Sequence, residues 1–226
     1  FVATPSMLHL VTLLGLSNIA GLSFPEERTP SLGATLESMG IDTNRWFCTL
    51  HYREPNYENR PASVLRDNDP DQFLDLRDFV IDELGGQVVR IGHRAMKPFP
   101  AREGFVDFAK IDGSFELQTF AITRSRFLLG GSSGPTHLGC AYKVPTAYLQ
   151  AIDESGAWNQ DDFILMQRIY DPSGRRVGIN EALPTGLLRE MTLRTLAADQ
   201  GFRILPNTVE ELRAAARAIY KHTNGV

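Results

Sequence analysis

The sequence predicts an α/β fold built on a mostly parallel sheet, and three observations carry that expectation. From residue 45 onward, short apolar runs alternate with stretches of helical spacing, the pattern left by strands joined through crossover helices. Several runs, such as RFLL at 126–129, are apolar at consecutive positions, as strands covered on both faces are. One of them leads straight into five glycine and serine residues, Gly130 to Gly134, and then Pro135, which suits the first turn of a helix because its missing N–H costs nothing there.

The elements follow in order. WFCTLH (46–51) reads as the first strand. Asp69 is a natural helix cap with Pro70 at the first helical position, DQFLDLRDFVIDEL continues with helical spacing, and Gly85-Gly86 ends it. QVVRIG (87–92) is the second strand and GFVDF (104–108) a short third, followed by a helix in SFELQTFAIT. RFLL is the fourth strand, PTHLGCAY a helix, and VPTAYL (144–149) the fifth strand. DDFILMQRIYDPSGRR (161–176) reads as an irregular or extended excursion closed by a Pro-Ser-Gly turn. TGLLREMTLRTLAADQG is helical up to Gly201, FRIL (202–205) is the last strand, and TVEELRAAARAIYKH after Asn207 is a capped terminal helix. The alternation defines a doubly wound, Rossmann-like sheet over residues 45–226. Residues 1–44 read as an N-terminal appendage or the remnant of a preceding domain, and a chain that opens on Phe rather than Met is expected to be a fragment or a processed product.

Composition narrows the partners. Lys and Arg number 23 against 27 Asp and Glu, and no basic block exceeds Arg175-Arg176, so nucleic acid is not expected as a partner. Residues 1–24 carry no charge, yet Pro5, His9 and Asn18 interrupt them and no basic segment precedes them, which argues against a membrane span or a signal peptide. Cys48 and Cys140 lie in apolar segments without metal-ligand spacing and read as reduced core residues of a cytoplasmic protein.

Ligands of doubly wound sheets bind beyond the carboxyl ends of the strands. That edge gathers His51, Arg53 and Glu54 after the first strand, His93 and Arg94 after the second, Asp107 in the third, and Ser132 to His137 after the fourth. A strand, a loop of small residues and a helix start form an anion site, with Ser132, Ser133 and the first N–H groups of the helix aimed at the guest. Phosphate is the expected guest, and a tight turn without a ligand is the competing reading. Arg53 has the planar fork that grips a diphosphate, against a surface arginine paired with Glu54 or Glu58. Arg66 is a second phosphate or substrate contact, against a solvated loop charge. His51 and His137 stand as general base or phosphate contact, against structural histidines. Asp67, Asn68 and Asp69 resemble an Asp-x-Asp metal motif, but Pro70 interrupts a ligand run and helix capping accounts for Asp69, so no metal is expected. GGSSG is not the dinucleotide fingerprint, no Walker lysine is present, and Gly131 to Gly134 falls one residue short of a hydrolase nucleophile elbow.

Taken as a set, LHYREPNY, LRDNDPDQF, VVRIGH, VDFA and RFLLGGSSGPTHLGCAYKVPTAYL, with DDFILMQRIYDPSGRRVGINEAL and NTVEEL after them, resemble a family of bacterial glycosyltransferases across roughly residues 30–222. The His-x-Arg after a strand is more distantly similar to fucosyltransferases of the GT-B class, in which an Arg of that motif holds the donor diphosphate. The resemblance implies the donor-binding, C-terminal half of a GT-B enzyme. Such an enzyme moves a hexosyl or fucosyl group from a nucleotide-sugar to a glycan or protein acceptor, without a metal or other cofactor. On that likeness Arg53 and Arg66 would bind the donor phosphates together with Ser132, Ser133, Gly134 and His137. His51 or Glu54 would act on the acceptor, and His93 and Asp107 would face the nucleoside. The chain departs from the pattern at His93, where relatives tend to carry an acidic residue. A GT-B enzyme also needs an N-terminal half, for which residues 1–44 are too few, so a preceding segment or a partner chain is expected to complete the cleft. The alternatives are a polysaccharide pyruvyl transferase, a nucleotide-sugar epimerase, or a nucleotide-binding module without catalysis.

Overall fold

A computed structural model describes residues 21–54, 65–108, 110, 114–152, 159–178, 181, 197–198 and 200–224. Six parallel strands form the sheet: β1 Phe47–His51, β2 Gln87–Arg90, β3 Phe105–Asp107, β4 Leu128–Gly130, β5 Thr146–Ala151 and β6 Phe163–Met166, in the order β3-β2-β1-β4-β5-β6. The chain starts in the middle, builds outward through β2 and β3, and returns to lay β4 on the other side of β1. The direction of winding therefore reverses between β1 and β4, and that junction is where doubly wound sheets open a ligand crevice.

Both faces of the sheet are covered. Helices α1 Thr29–Ser38, α2 Pro70–Asp82, α3 Phe115–Arg124, α4 Gly134–Ala141 and α5 Val209–His222 supply the covers. Phe73, Leu76, Phe79 and Val80 of α2 pack with Leu212, Ala216 and Ile219 of α5 against Cys48, Leu50, Val88 and Leu129. On the opposite face Leu32 and Leu36 of α1 and Leu117, Phe120 and Ile122 of α3 meet Phe47, Val89, Val106 and Leu128. Successive strand residues thus serve opposite layers, which is why RFLL and WFCTLH are apolar without alternation. Burying one such Leu or Val contributes about 1.5–3 kcal/mol.

Local sequence fixes the ends of these helices. Asp69 accepts the Asp71 N–H at 3.0 Å ahead of Pro70, and Gly85 supplies the left-handed turn after α2 with φ 70°. Thr208 and Glu211 cap α5 reciprocally, the Glu211 N–H donating to Thr208 Oγ1 at 3.2 Å and the Thr208 N–H to Glu211 Oε2 at 2.9 Å.

Three expectations change. FILM (163–166) is not an excursion but the sixth strand; it sits at the sheet edge, half-buried at all four positions, although its four consecutive apolar residues match the pattern of the inner strands. Gln167 alone separates it from β7 Arg168–Tyr170, which pairs antiparallel with β8 Arg203–Leu205. FRIL therefore belongs to a separate two-stranded ribbon. Helix α1, which sequence periodicity did not single out, buries only the i, i+4 pair Leu32 and Leu36, too narrow a seam to read. The helix expected over 185–201 lies largely outside the described residues, as does Glu58. Cys48 and Cys140 are buried thiols. Among the described residues no helix is long and apolar enough to cross a membrane.

Candidate functional site

The small residues after β4 have separate physical reasons. A Cβ on Gly130 would lie 2.4 Å from Thr136 Oγ1 and 2.6 Å from its Cγ2, so the missing side chain lets α4 settle onto the strand. Thr136 then fixes the turn, its hydroxyl donating to the Gly131 carbonyl at 2.7 Å. Gly134, the first residue of α4, has nothing within 4 Å of where a Cβ would sit. Its N–H belongs to the first turn, where no intrahelical acceptor exists, and Pro135 beside it carries no N–H.

Two neighbouring segments hold this turn. Arg66 donates from Nε and Nη2 to the Ser132 carbonyl at 3.3 and 3.1 Å. The Asn68 N–H donates to the Arg53 carbonyl at 2.8 Å, and its Nδ2 to the Arg66 carbonyl at 2.8 Å. The ends of β1, of the 65–68 segment and of β4 are thereby laced together.

His51 crosses the winding junction. Its strand partner is Gly130, and its ring bonds in both directions: Nδ1 to the Ile91 carbonyl at 3.0 Å and Nε2 to Ser133 Oγ at 2.9 Å. A carbonyl only accepts, so Nδ1 carries the hydrogen and Nε2 accepts the Ser133 hydroxyl proton. Burial, with Arg90 and His93 also opposing a positive charge, lowers the His51 pKa from 6.5 to about 4. The ring is neutral at neutral pH.

A cleft of about 370 Å³ opens above this junction, lined by His51, Tyr52, Arg53, Glu54, Gly92, His93, Gln118, Ser133, Gly134 and Pro135. Arg53 and the start of α4 share it. The Arg53 Nε lies 2.9 Å from Asp67 Oδ1 with the side chain 20% exposed, so its ion-pair partner is Asp67 rather than Glu54. Glu54 accepts the Lys97 N–H at 2.8 Å through Oε2, and its carboxylate also interacts with the Tyr52 hydroxyl. His93 Nδ1 accepts from the Ala95 N–H at 3.2 Å. Tyr52 accepts from Arg90 Nη1 at 2.8 Å, and burial raises its phenol pKa. Sequence reasoning missed Tyr52, Gly92 and Gln118; Gln118 reaches the cleft from α3, where its Oε1 accepts the Gly92 N–H at 3.1 Å, and no strand-end rule points to a helix face.

Four expected residues stand outside the lining. Arg66 and Ser132 shape the loop through their mutual bond. His137 turns Nδ1 to the Ser133 carbonyl at 2.9 Å and its ring edge to Tyr148. Asp107 is buried, accepting Arg90 Nε at 2.9 Å and the Phe99 N–H at 3.2 Å. The strand register sets Arg90 beside Asp107, which commits that carboxylate to the interior. The three aspartates of the 67–71 stretch are each engaged, Asp67 with Arg53, Asp69 as a cap, and Asp71 with Lys97 at 2.6 Å. Among the described residues no group of three or more His, Cys, Asp or Glu is placed to hold a metal ion.

Arg53, Ser133 and the start of α4 line one cavity at the winding junction. No protein-family model matches the chain, and no curated protein matches it. Solved structures do. A glycosyl transferase of family 9 from Veillonella parvula DSM 2008 superposes with a TM-score of 0.57 and 14% identity over 94% of this chain and 58% of its own. The ADP-heptose LPS heptosyltransferase II of E. coli superposes with a TM-score of 0.57 and 13% identity over 90% of this chain and 54% of its own. The chain therefore shares the doubly wound fold of these glycosyltransferases and spans just over half their length.

Proposed function

We propose that the chain binds the nucleotide-sugar donor of a glycosyl transfer and that residues 45–226 form the donor-binding domain. The observation that carries this reading is the sharing of one cleft by the Arg53 guanidinium and the start of α4, at the junction of β1 and β4. A departing nucleoside diphosphate gains negative charge in the transition state. Donors already aimed at it, here Arg53 and the Gly134 N–H, stabilise that charge without rearrangement and without a metal. Loss of one such donor costs about 10²–10³ in rate. His51, committed between Ile91 and Ser133, serves the phosphate side, and Glu54, a carboxylate lining the same cleft, is the candidate to take the acceptor proton. The heptosyltransferase among the structural neighbours carries ADP-heptose in its name, so ADP heads the panel of nucleotides to test.

The test is thermal unfolding with ADP, UDP, GDP and CDP in the presence of EDTA. A nucleotide at a hundred times its Kd adds about 2.7 kcal/mol, or a rise of about 5–10 °C for a chain of this size. Arg53→Ala abolishes the rise. A panel without effect, or an equal rise in the variant, overturns the proposal.

A further inference from the structure

The bond between His51 and Ser133 sets a condition on any anion bound beside it. A serine hydroxyl has a single proton and otherwise presents lone pairs. With the ring neutral and its Nδ1–H given to Ile91, that proton goes inward, to His51 Nε2 at 2.9 Å, so Ser133 offers oxygen lone pairs to a phosphate oxygen, which repel it.

Three rearrangements would turn the hydroxyl outward. Rotation of the hydroxyl alone strands a buried Nε2 without a donor. A tautomer swap sets the Nδ1 lone pair against the Ile91 carbonyl, 3.0 Å away. Each leaves a buried polar atom unsatisfied, at a cost of about 1–3 kcal/mol. Protonating Nε2 leaves none: Nδ1–H still donates to Ile91, Nε2–H donates to Ser133 Oγ, and the hydroxyl is released to the phosphate. We propose that His51 is a positioning residue whose proton directs the Ser133 hydroxyl, so that a diphosphate bound at the start of α4 brings a proton from solvent onto His51. The inference rests on the donor-site reading.

The charges around His51 set how strongly binding must act. Arg90 of β2 and His93 after it oppose a second positive charge. Arg90 is balanced by Asp107, and along the end of β1 Arg53 is balanced by Asp67 while Glu54 adds an acidic group. From α3 the cleft receives the uncharged Gln118, and from the start of α4 only Ser133, Gly134 and Pro135. A bound diphosphate adds negative charge one hydrogen bond from the ring and reverses the balance.

The experiment is calorimetric titration of ADP, UDP, GDP and CDP at pH 5.5 in two buffers of different ionisation enthalpy, on the wild type and His51→Asn. The difference between proteins cancels the protons exchanged by the nucleotide itself. For each nucleotide bound, the wild type takes up more protons than His51→Asn does, by about half a proton or more, and its affinity falls more steeply as pH rises. A nitrogen-15 spectrum of the wild type alone gives the same answer: nucleotide moves a histidine Nε2 from the acceptor range to the protonated range. If a nucleotide binds with equal proton uptake in both proteins and no Nε2 change, the proton coupling is refuted and the donor site stands. If none of the four nucleotides binds, the donor-site reading falls, and this inference with it.

Discussion

Gly130 and Gly134 are four residues apart in one loop, and exchanging each for alanine has opposite expected consequences. At Gly130 the added methyl would sit 2.4 and 2.6 Å from the Thr136 side chain and 2.7 Å from Leu128 Cδ2. Thr136 is fully buried and cannot turn aside without giving up its bond to the Gly131 carbonyl, worth about 1 kcal/mol. Helix α4 must then shift outward. Overpacking of this kind costs about 1–3 kcal/mol, or a fall of about 2–12 °C in Tm. At Gly134 the methyl meets nothing within 4 Å, and alanine in a first helical turn leaves stability within about 0.5 kcal/mol or raises it slightly. That methyl projects from a residue lining the cleft, so Gly134→Ala weakens nucleotide-induced stabilisation while leaving the unliganded fold intact. Urea denaturation of both variants, with and without the best nucleotide, measures the two effects. Equal destabilisation by the two alanines would show that the loop is small-residued for a single conformational reason and refute the division argued from the distances.

Three further outcomes are expected. The folded chain keeps His51 neutral down to about pH 4, whereas an unfolded histidine takes its proton near 6.5. The unfolded state therefore binds more protons between those values, and stability falls as pH drops from about 6.5 to 4, by about 3 kcal/mol. His51→Asn flattens that limb in denaturation curves at pH 7 and 4.5; a variant limb as steep as the wild type removes His51 as its cause. Asp107→Ala leaves Arg90, at 0% exposure, buried without its partner and lowers stability by about 3–5 kcal/mol; a loss below 1 kcal/mol by urea titration contradicts that. Finally, the nucleotide-induced rise in Tm is the same with EDTA as with manganese; a rise that appears only with manganese returns Asp67 and Asp69 to consideration as metal ligands.

Much of the fold was legible because local signals agreed. Asp69, Pro70 and Gly85 bracket α2 in the sequence as they do in space, and the consecutive apolar letters of β1, β2 and β4 report burial on two faces. Elements with partial burial were not legible. TPSLGATLES in α1 hides too few side chains to impose a period, FILM carries the letters of an inner strand but runs into RIY after a single Gln, and FRIL resembles an inner strand although its partner is β7. The candidate site divides the same way. That His51, Arg53, Ser133 and Gly134 share an edge follows from strand ends alone. That Asp107 turns inward to Arg90, and that Asp67 is the partner of Arg53, depends on register and on loop packing, which no single stretch of sequence encodes.

The central position of β1 bears on how the chain is made. His51 and Ser133 are separated by 82 positions, so a chain emerging from the ribosome can assemble β1, β2 and β3 while the other flank of β1 stays bare. A row of unsatisfied N–H and C=O groups along Phe47–His51 is then a template for any foreign strand until the proper neighbour arrives. Parallel pairing across such a distance is slow to close. The seam that shapes the pocket is thus also where a nascent molecule is most open to aggregation.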